Sequence, residues 1–144
     1  MSKPVSSLAA LLRSMEPVLN GGVYAYCVVP REAIVTGLSP VVTVSEAEGL
    51  TLVLPEEQAI KAGLSVLFRA AWITLTVHSD LQAVGLTAAF ASVLGRAGIS
   101  CNVVAGAFHD HIFVPVEQAQ HALAALQSLQ QETEQGGSRV NGDA

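Results

Sequence analysis

The chain is poor in charge, in aromatic rings and in cysteine. Of its 144 residues only 13% are Asp, Glu, Lys or Arg, against 51% hydrophobic. Disorder needs the opposite balance, so this composition predicts a packed core. Seven Lys and Arg stand against twelve Asp and Glu, for a net charge of −5. No Lys/Arg stripe interleaves with the few aromatics, which argues against nucleic acid as a partner. No apolar run reaches the roughly 18 residues of a membrane span. The opening Met1-Ser2-Lys3-Pro4 does not read as a signal peptide, because the apolar run 8–12 is too short. Only Cys27 and Cys101 occur, far apart and in strand-like contexts. They read as buried free thiols, with a disulfide as the alternative. The expected location is cytoplasmic. There is no phosphate-cradling Gly-rich loop and no clustered cysteine metal site, so no cofactor is expected.

The stretch 72–115 carries the most specific grammar. Residues 71–78 alternate: Ile73, Leu75 and Val77 point one way, and Trp72, Thr74, Thr76 and His78 the other. Period two with β-branched residues predicts a strand with one apolar face. Ser79 and Asp80 can cap a helix start, and Gln82 allows a capping box with Ser79. Leu86, Ala89, Phe90, Val93, Leu94 and Ala97 then form a helical stripe. Gly98 sits where a left-handed cap residue belongs. A strand is expected over 99–105, a turn over 106–110 and a strand over 111–114, which Pro115 stops.

The remaining elements follow from the same signals. An amphipathic helix is expected over 5–15, with Ser6 and Ser7 as caps and Leu8, Leu11 and Leu12 inward. Strands are expected over 23–29, 41–45 and 50–54, with a hairpin turn between the last two. Pro55 opens a short helix over 56–62, and 66–68 forms a short strand. A helix over 116–129 precedes a polar, Gly-containing segment, 131–144, that reads as a disordered tail.

An internal repeat organises these pieces. Leu52-Val53-Leu54-Pro55-Glu56-Glu57-Gln58-Ala59 lines up with Ile112-Phe113-Val114-Pro115-Val116-Glu117-Gln118-Ala119, 60 residues on. Each half reads strand, hairpin, strand, Pro, helix. The strand over 23–29 lacks a following helix, and the helix over 5–15 is a candidate for that vacant place. The predicted class is α+β: two fused ferredoxin-like βαββαβ units, antiparallel sheets with helices on one face. The predicted division is 1–70, 71–130 and the tail.

Residues 72–129 resemble an ACT domain, on the phrases Ala83-Val84-Gly85-Leu86 and Ala97-Gly98-Ile99-Ser100-Cys101-Asn102-Val103. These are similar to the regulatory modules of aspartate kinases. The chain to about Leu129 resembles small bacterial proteins with two fused ACT modules. The resemblance implies an amino-acid-binding regulatory module without catalysis, paired as a homodimer. It implies a ligand carboxylate met by the amides of Val84, Gly85 and Leu86. It also implies an ammonium partner on the following strand, at the position of Asn102, with Val103 beside it among the ligand-binding residues. Asn102 is neutral where the aspartate kinases have an acidic residue, so Asp80 or Asp110 would have to supply the charge, with His78 lining the pocket. The first half has no such glycine, so one site per chain is implied. The partner enzyme is not implied by any residue.

Residue chemistry leaves two readings of Gly85. A glycine in the first turns of a helix costs about 1 kcal/mol against alanine. Either the helix packs closely there, or an anion approaches its unpaired amides. A second cluster is His78, His109 and His111 with Asp110. The fold would bring them together at a strand end, as weak candidates for a metal, as polar pocket lining, or as solvated turn residues. No catalytic set emerges. His78, Ser79 and Asp80 are neighbours in a row rather than groups converging in space. Cys101 alternates with Ile99 and Val103, toward the core. The alternative to a sensor is an interaction module whose open sheet face and edges pair or dock without a ligand.

Overall fold

The computed structural model describes residues 8–76 and 85–142. Elements run in the order α1 (Leu8–Ser14), β1 (Pro17–Leu19), β2 (Tyr24–Val29), β3 (Val42–Glu46), β4 (Gly49–Pro55), α2 (Glu56–Lys61), β5 (Phe68–Leu75), α3 (Leu86–Arg96), β6 (Asn102–Ala105), β7 (Asp110–Pro115) and α4 (Ala119–Gly142). A single 3-10 turn, Val116–Gln118, leads into α4. The class is α+β, as the alternation predicts.

The seven strands form one sheet in the order β3-β4-β2-β5-β7-β6, with β1 also paired to β5. Every ladder is antiparallel. β1 and β2 lie end to end along one side of β5. Val18 faces Thr74, and Tyr24 faces Ala70. The sheet is therefore continuous across both halves, which removes two edges that would otherwise be open.

The repeat is visible in the backbone. Pro55 ends β4 at φ −53, ψ 132, and Pro115 ends β7 at φ −55, ψ 135. Each lacks the N–H needed to extend its ladder, and its fixed φ suits a helix start.

Helices pack on one face only. Leu11, Leu12 and Met15 of the α1 region, Phe90 and Leu94 of α3, and Ala122 and Leu126 of α4 bury against Ala71, Ile73, Leu75, Ile112 and Val114. On the first half, Ala59 of α2 packs on Ala25, Cys27, Leu52 and Leu54. Ala25 is in register with Arg69, whose odd-numbered neighbours Ala71 and Ile73 face α3 and α4. Side chains in register share a face, so both helical layers cover the same side. No described helix packs on the other face. It carries Tyr24, Tyr26, Val42, Val53, Phe68, Ala70, Trp72, Val104 and Phe113.

Several sequence expectations change. The helix near the N-terminus does not fill the vacant place beside β2. It packs in the second half, against α3 and α4, where Leu11 and Met15 are fully buried. The vacant place is taken by the loop after β2, whose Ala33, Val35 and Leu38 cover Ala25 and Cys27. That loop runs Ile34-Val35-Thr36-Gly37, three β-branched residues and a glycine, so it resists helix formation. The strand expected over 66–68 is not separate, because β5 is continuous from Phe68 to Leu75. The strand expected from 99 begins only at Asn102.

The segment 131–144, expected as a disordered tail, is helical to Gly142. Gln130, Gln131 and Glu132 are good helix formers and prolong the packed helix before them. Just before this segment Gln130 ties α4 to α1, its Nε2 donating to the Arg13 carbonyl at 3.0 Å. Finally, β1 has no counterpart in the sequence reading. It is three residues long, and it exists through its pairing with β5.

Candidate functional site

The carboxylate-binding expectation rests on the start of α3. Gly85 is the N-cap of this helix, at φ 100, ψ −20. That is one step before the helical position the sequence suggested. A left-handed residue there is costly for any side chain but glycine. A second constraint acts at the same place. A Cβ on Gly85 would stand 3.1 Å from Leu8 Cδ2, so the end of that side chain would have to shift by a few tenths of an ångström. The Gly85 carbonyl accepts the Ala89 amide at 2.9 Å and starts the helix. Gly85, as the N-cap, brings no side chain to cap α3. The amides of Leu86, Thr87 and Ala88 therefore point out of the helix end with no intrahelical acceptor. Thr87 and Ala88 are exposed, whereas the Leu86 side chain is core. Leu86 can serve a ligand only through its backbone.

The other expected residues separate. Val84, His78, Asp80 and the Ser79–Gln82 capping box lie outside the described residues. Asn102 is in register with Phe113, and its Nδ2 donates to the Phe113 carbonyl at 3.3 Å. Phe113 belongs to the open face, so Asn102 stands on the side away from α3. Val103 alternates to the helix side and packs in the core. Asp110 is 6% exposed and pairs with Leu75 and Ala105 in register. By alternation with Ile112 and Val114 it faces the helices. The structure thus puts Asp110 on the α3 side of the sheet and Asn102 on the other. The two cannot serve one ligand within one chain.

The histidine cluster also divides. His109 precedes β7, its carbonyl accepting the Gly106 amide at 2.9 Å. His111 is in β7 and faces the open side with Trp72, Thr74 and Asn20. Trp72 Nε1 donates to His111 Nδ1 at 3.1 Å, and Thr74 Oγ1 lies 3.2 Å from the same nitrogen. Asn20 Nδ2 donates to Thr74 Oγ1 at 2.9 Å and to the Trp72 carbonyl at 3.2 Å. An indole N–H can only donate, so Nδ1 is the unprotonated nitrogen and Nε2 carries the proton. Burial pushes the His111 pKa down. The neighbouring His109 pushes it further down, and Asp110 pulls it back up. Gly106 makes room for this ring: a Cβ there would meet Nε2 at 3.3 Å and the His109 carbonyl at 2.9 Å. Among the described residues, no three His, Cys, Asp or Glu side chains gather as a metal site. This network was missed in the sequence. Its only signal was the placement of Trp72 and Thr74 on one side of β5.

A cavity of about 400 Å³ lies elsewhere, lined by Gly21, Tyr24, Pro55, Glu56 and Glu57 among others. Its two carboxylates repel an anion. The Arg69 hydrogen bond, at 2.5 Å from Nε, holds the Glu56 carboxyl below its ordinary range. Chemistry therefore separates this cavity from the carboxylate expectation. Both cysteines are free, and burial raises both thiol pKa values, which removes thiolate character. No described helix is long and apolar enough to cross a membrane.

Residues 3–71 match the ACT domain family, and residues 68–128 match it again. The chain belongs to the ACT-domain family. The two matched ACT segments meet within β5. The ACT pair is similar to a crystal structure of a Vibrio cholerae protein of unknown function, described as a possible transport protein. Identity is 51%, coverage is 85% of this chain and 95% of that one, and the TM-score is 0.77. It is also similar in fold to an Agrobacterium tumefaciens protein at 18% identity, covering 81% and 89% of the two chains, TM-score 0.63. The regulatory subunit of aspartate kinase from Thermus flavus shares the fold at 10% identity, over 79% and 96%, TM-score 0.61. No curated protein matches the chain. ACT domains are typically ligand-binding regulatory modules rather than catalytic ones, and this tandem is built from them.

Proposed function

We propose that this ACT pair is a non-catalytic sensor that binds an amino acid or a similar small carboxylate at the start of α3. The supporting observation is the helix start at Gly85, an N-cap that brings no capping side chain of its own and beside which Thr87 and Ala88 are exposed. An eleven-residue helix directs its partial positive charge there. Asp110 lies on the same side of the sheet as α3. The fold of aspartate kinase regulatory subunits supports the same reading by likeness. The sensor works in the cytoplasm without metal, cofactor or nucleic acid.

Magnitudes fit a metabolite sensor. Hydrogen bonds to a charged group contribute about 1.5–3 kcal/mol each, and a helix end about 0.3–1 kcal/mol. Two or three such contacts, less the entropy of association, leave affinities of roughly micromolar to millimolar. The test is a melting-temperature screen against the twenty amino acids and their biosynthetic relatives at millimolar concentration. A selective rise for one chemical class is expected, since a ligand of the native state raises the melting temperature. Flat curves across the set would refute the sensor reading.

A further inference from the structure

The cavity beside the start of α2 plays no part in the reading at α3, and its lining has a chemistry of its own. It holds about 400 Å³, within the ordinary range of small-molecule sites. Tyr24 and Pro55, opposite each other in the β2–β4 ladder, give it apolar surface. Both walls are braced. The Tyr24 hydroxyl donates to the Gly21 carbonyl at 3.1 Å, and its ring meets Trp72 edge-on, with centroids 5.2 Å apart. The Glu56 amide donates to the Val23 carbonyl at 2.9 Å, which ties the start of α2 to the residue before β2.

The charge in this cavity is that of one free anion. Glu56 and Glu57 both line it, but Arg69 grips both oxygens of Glu56 through Nε and Nη2, and that pair is neutral. Glu57 is exposed, and among the described residues its side chain takes part in no ion pair or hydrogen bond. Lys61, one turn further along α2, lines a different cavity with Thr36 and Gly37. A first-turn carboxylate suits the helix dipole. That accounts for an acidic residue on α2, not for the space beside it.

Gly21 keeps the space open. Gly22 needs its bare backbone, since its φ is 91. Gly21 has no such need: its φ lies outside the left-handed region, and a Cβ there would meet nothing within 4 Å. Neither backbone strain nor packing calls for glycine at this position, whereas a molecule seated against Tyr24 does.

We propose that this cavity binds a small organic monocation, an ammonium or guanidinium on a short apolar stem, with Glu57 as its counter-ion and Tyr24 and Pro55 against the stem. One uncompensated carboxylate sets the charge; calcium, by contrast, takes about six to eight oxygen ligands. Glu56 and Glu57 repel a ligand carboxylate, so the amine is one without a neighbouring acid group. The site stands apart from the one at α3, and neither depends on the other.

The test is an amide NMR titration of the full chain with n-butylammonium and n-butylguanidinium chlorides, with sodium butyrate and magnesium chloride as controls. Saturating shifts are expected at Gly21, Gly22 and Glu57, with a millimolar dissociation constant, for at least one of the cations. Glu57→Gln should weaken binding about tenfold, through the loss of a charge-assisted contact. Gly21→Leu should abolish it by filling the space. Both variants should keep the circular dichroism spectrum and urea midpoint of the parent, since one side chain is exposed and the other enters open space. Butyrate should leave these three amides unmoved, whatever it does at Leu86 and Thr87, which keeps the two sites distinguishable. The proposal is overturned if neither cation saturates, or if magnesium or butyrate moves the same amides as far. It is overturned equally if either variant binds as the parent does.

Discussion

Two residues show how local chemistry decides this molecule. At Gly85 the backbone is left-handed, and a Cβ would stand 3.1 Å from Leu8 Cδ2. Replacing it would therefore disturb the fold as well as any ligand, so Thr87 makes the cleaner probe. Thr87→Glu puts a negative charge in the first turn of α3. It should stabilise the free protein by about 0.3–1 kcal/mol, while repelling a carboxylate from the same amides. The expected outcome is a higher melting temperature without ligand and a smaller rise with it. An undiminished ligand-induced rise would move the site away from α3. His111 gives the second residue-scale prediction. Trp72 and Thr74 face its Nδ1 from β5, Val104 lies beside it on β6, and His109 and Asp110 flank it. Its folded pKa is lowered, so below the ordinary histidine pKa of about 6.5 the unfolded chain binds the extra proton first. The neutral ring's contribution is present above that pH and is lost as pH falls toward the folded pKa. Urea midpoints should drop between pH 7.5 and pH 5, and drop less in His111→Gln. Equal slopes in parent and variant would exclude His111 as the source. The sequence put Trp72 and Thr74 on one side of β5 but could not give their partner, because the network depends on the β5–β7 register.

Elements were legible where their signals are local. Pro55 and Pro115 mark both strand-to-helix junctions, and the stripe from Leu86 to Ala97 is the buried face of α3. Period two alone gives β2, β3 and β4 within a residue or two. The misplacement of α1 has a physical cause. Its Leu8, Leu11 and Leu12 specify an apolar face, not which half of the sheet receives it. Tertiary packing makes that choice through Met15, Phe90 and Leu126. Leu11→Ala tests the assignment. Removing a fully buried leucine should cost about 2–5 kcal/mol in urea denaturation. Amide exchange should quicken in α3 and α4, the helices that α1 touches, while α2 keeps the protection of the parent. Faster exchange in α2 instead would put α1 back over the first half.

At the scale of the whole molecule, β5 serves both halves. It is the first strand of the second unit, beside β7, and it also lies against β2 as the last strand of the first. The second unit then needs its own last strand, and β1 supplies it from the other end of the chain. The repeat in the sequence shows two units but cannot show this exchange, because β1 has only three residues and no period to read. The exchange has a thermodynamic consequence. Neither unit can complete its sheet alone: residues up to 71 keep only part of β5, and residues from 68 onward lack α1 and β1. The pair should therefore unfold as one cooperative block. Tryptophan fluorescence reports Trp72 in the shared strand, and far-ultraviolet circular dichroism reports helices, most of which lie in the second half. Their urea transitions should coincide, with a single slope set by the surface of the whole chain. A fragment spanning 72–144 should fail to show a cooperative transition at all. Two separated transitions, or a folded 72–144 fragment, would mean that the shared strand is not what binds the halves together.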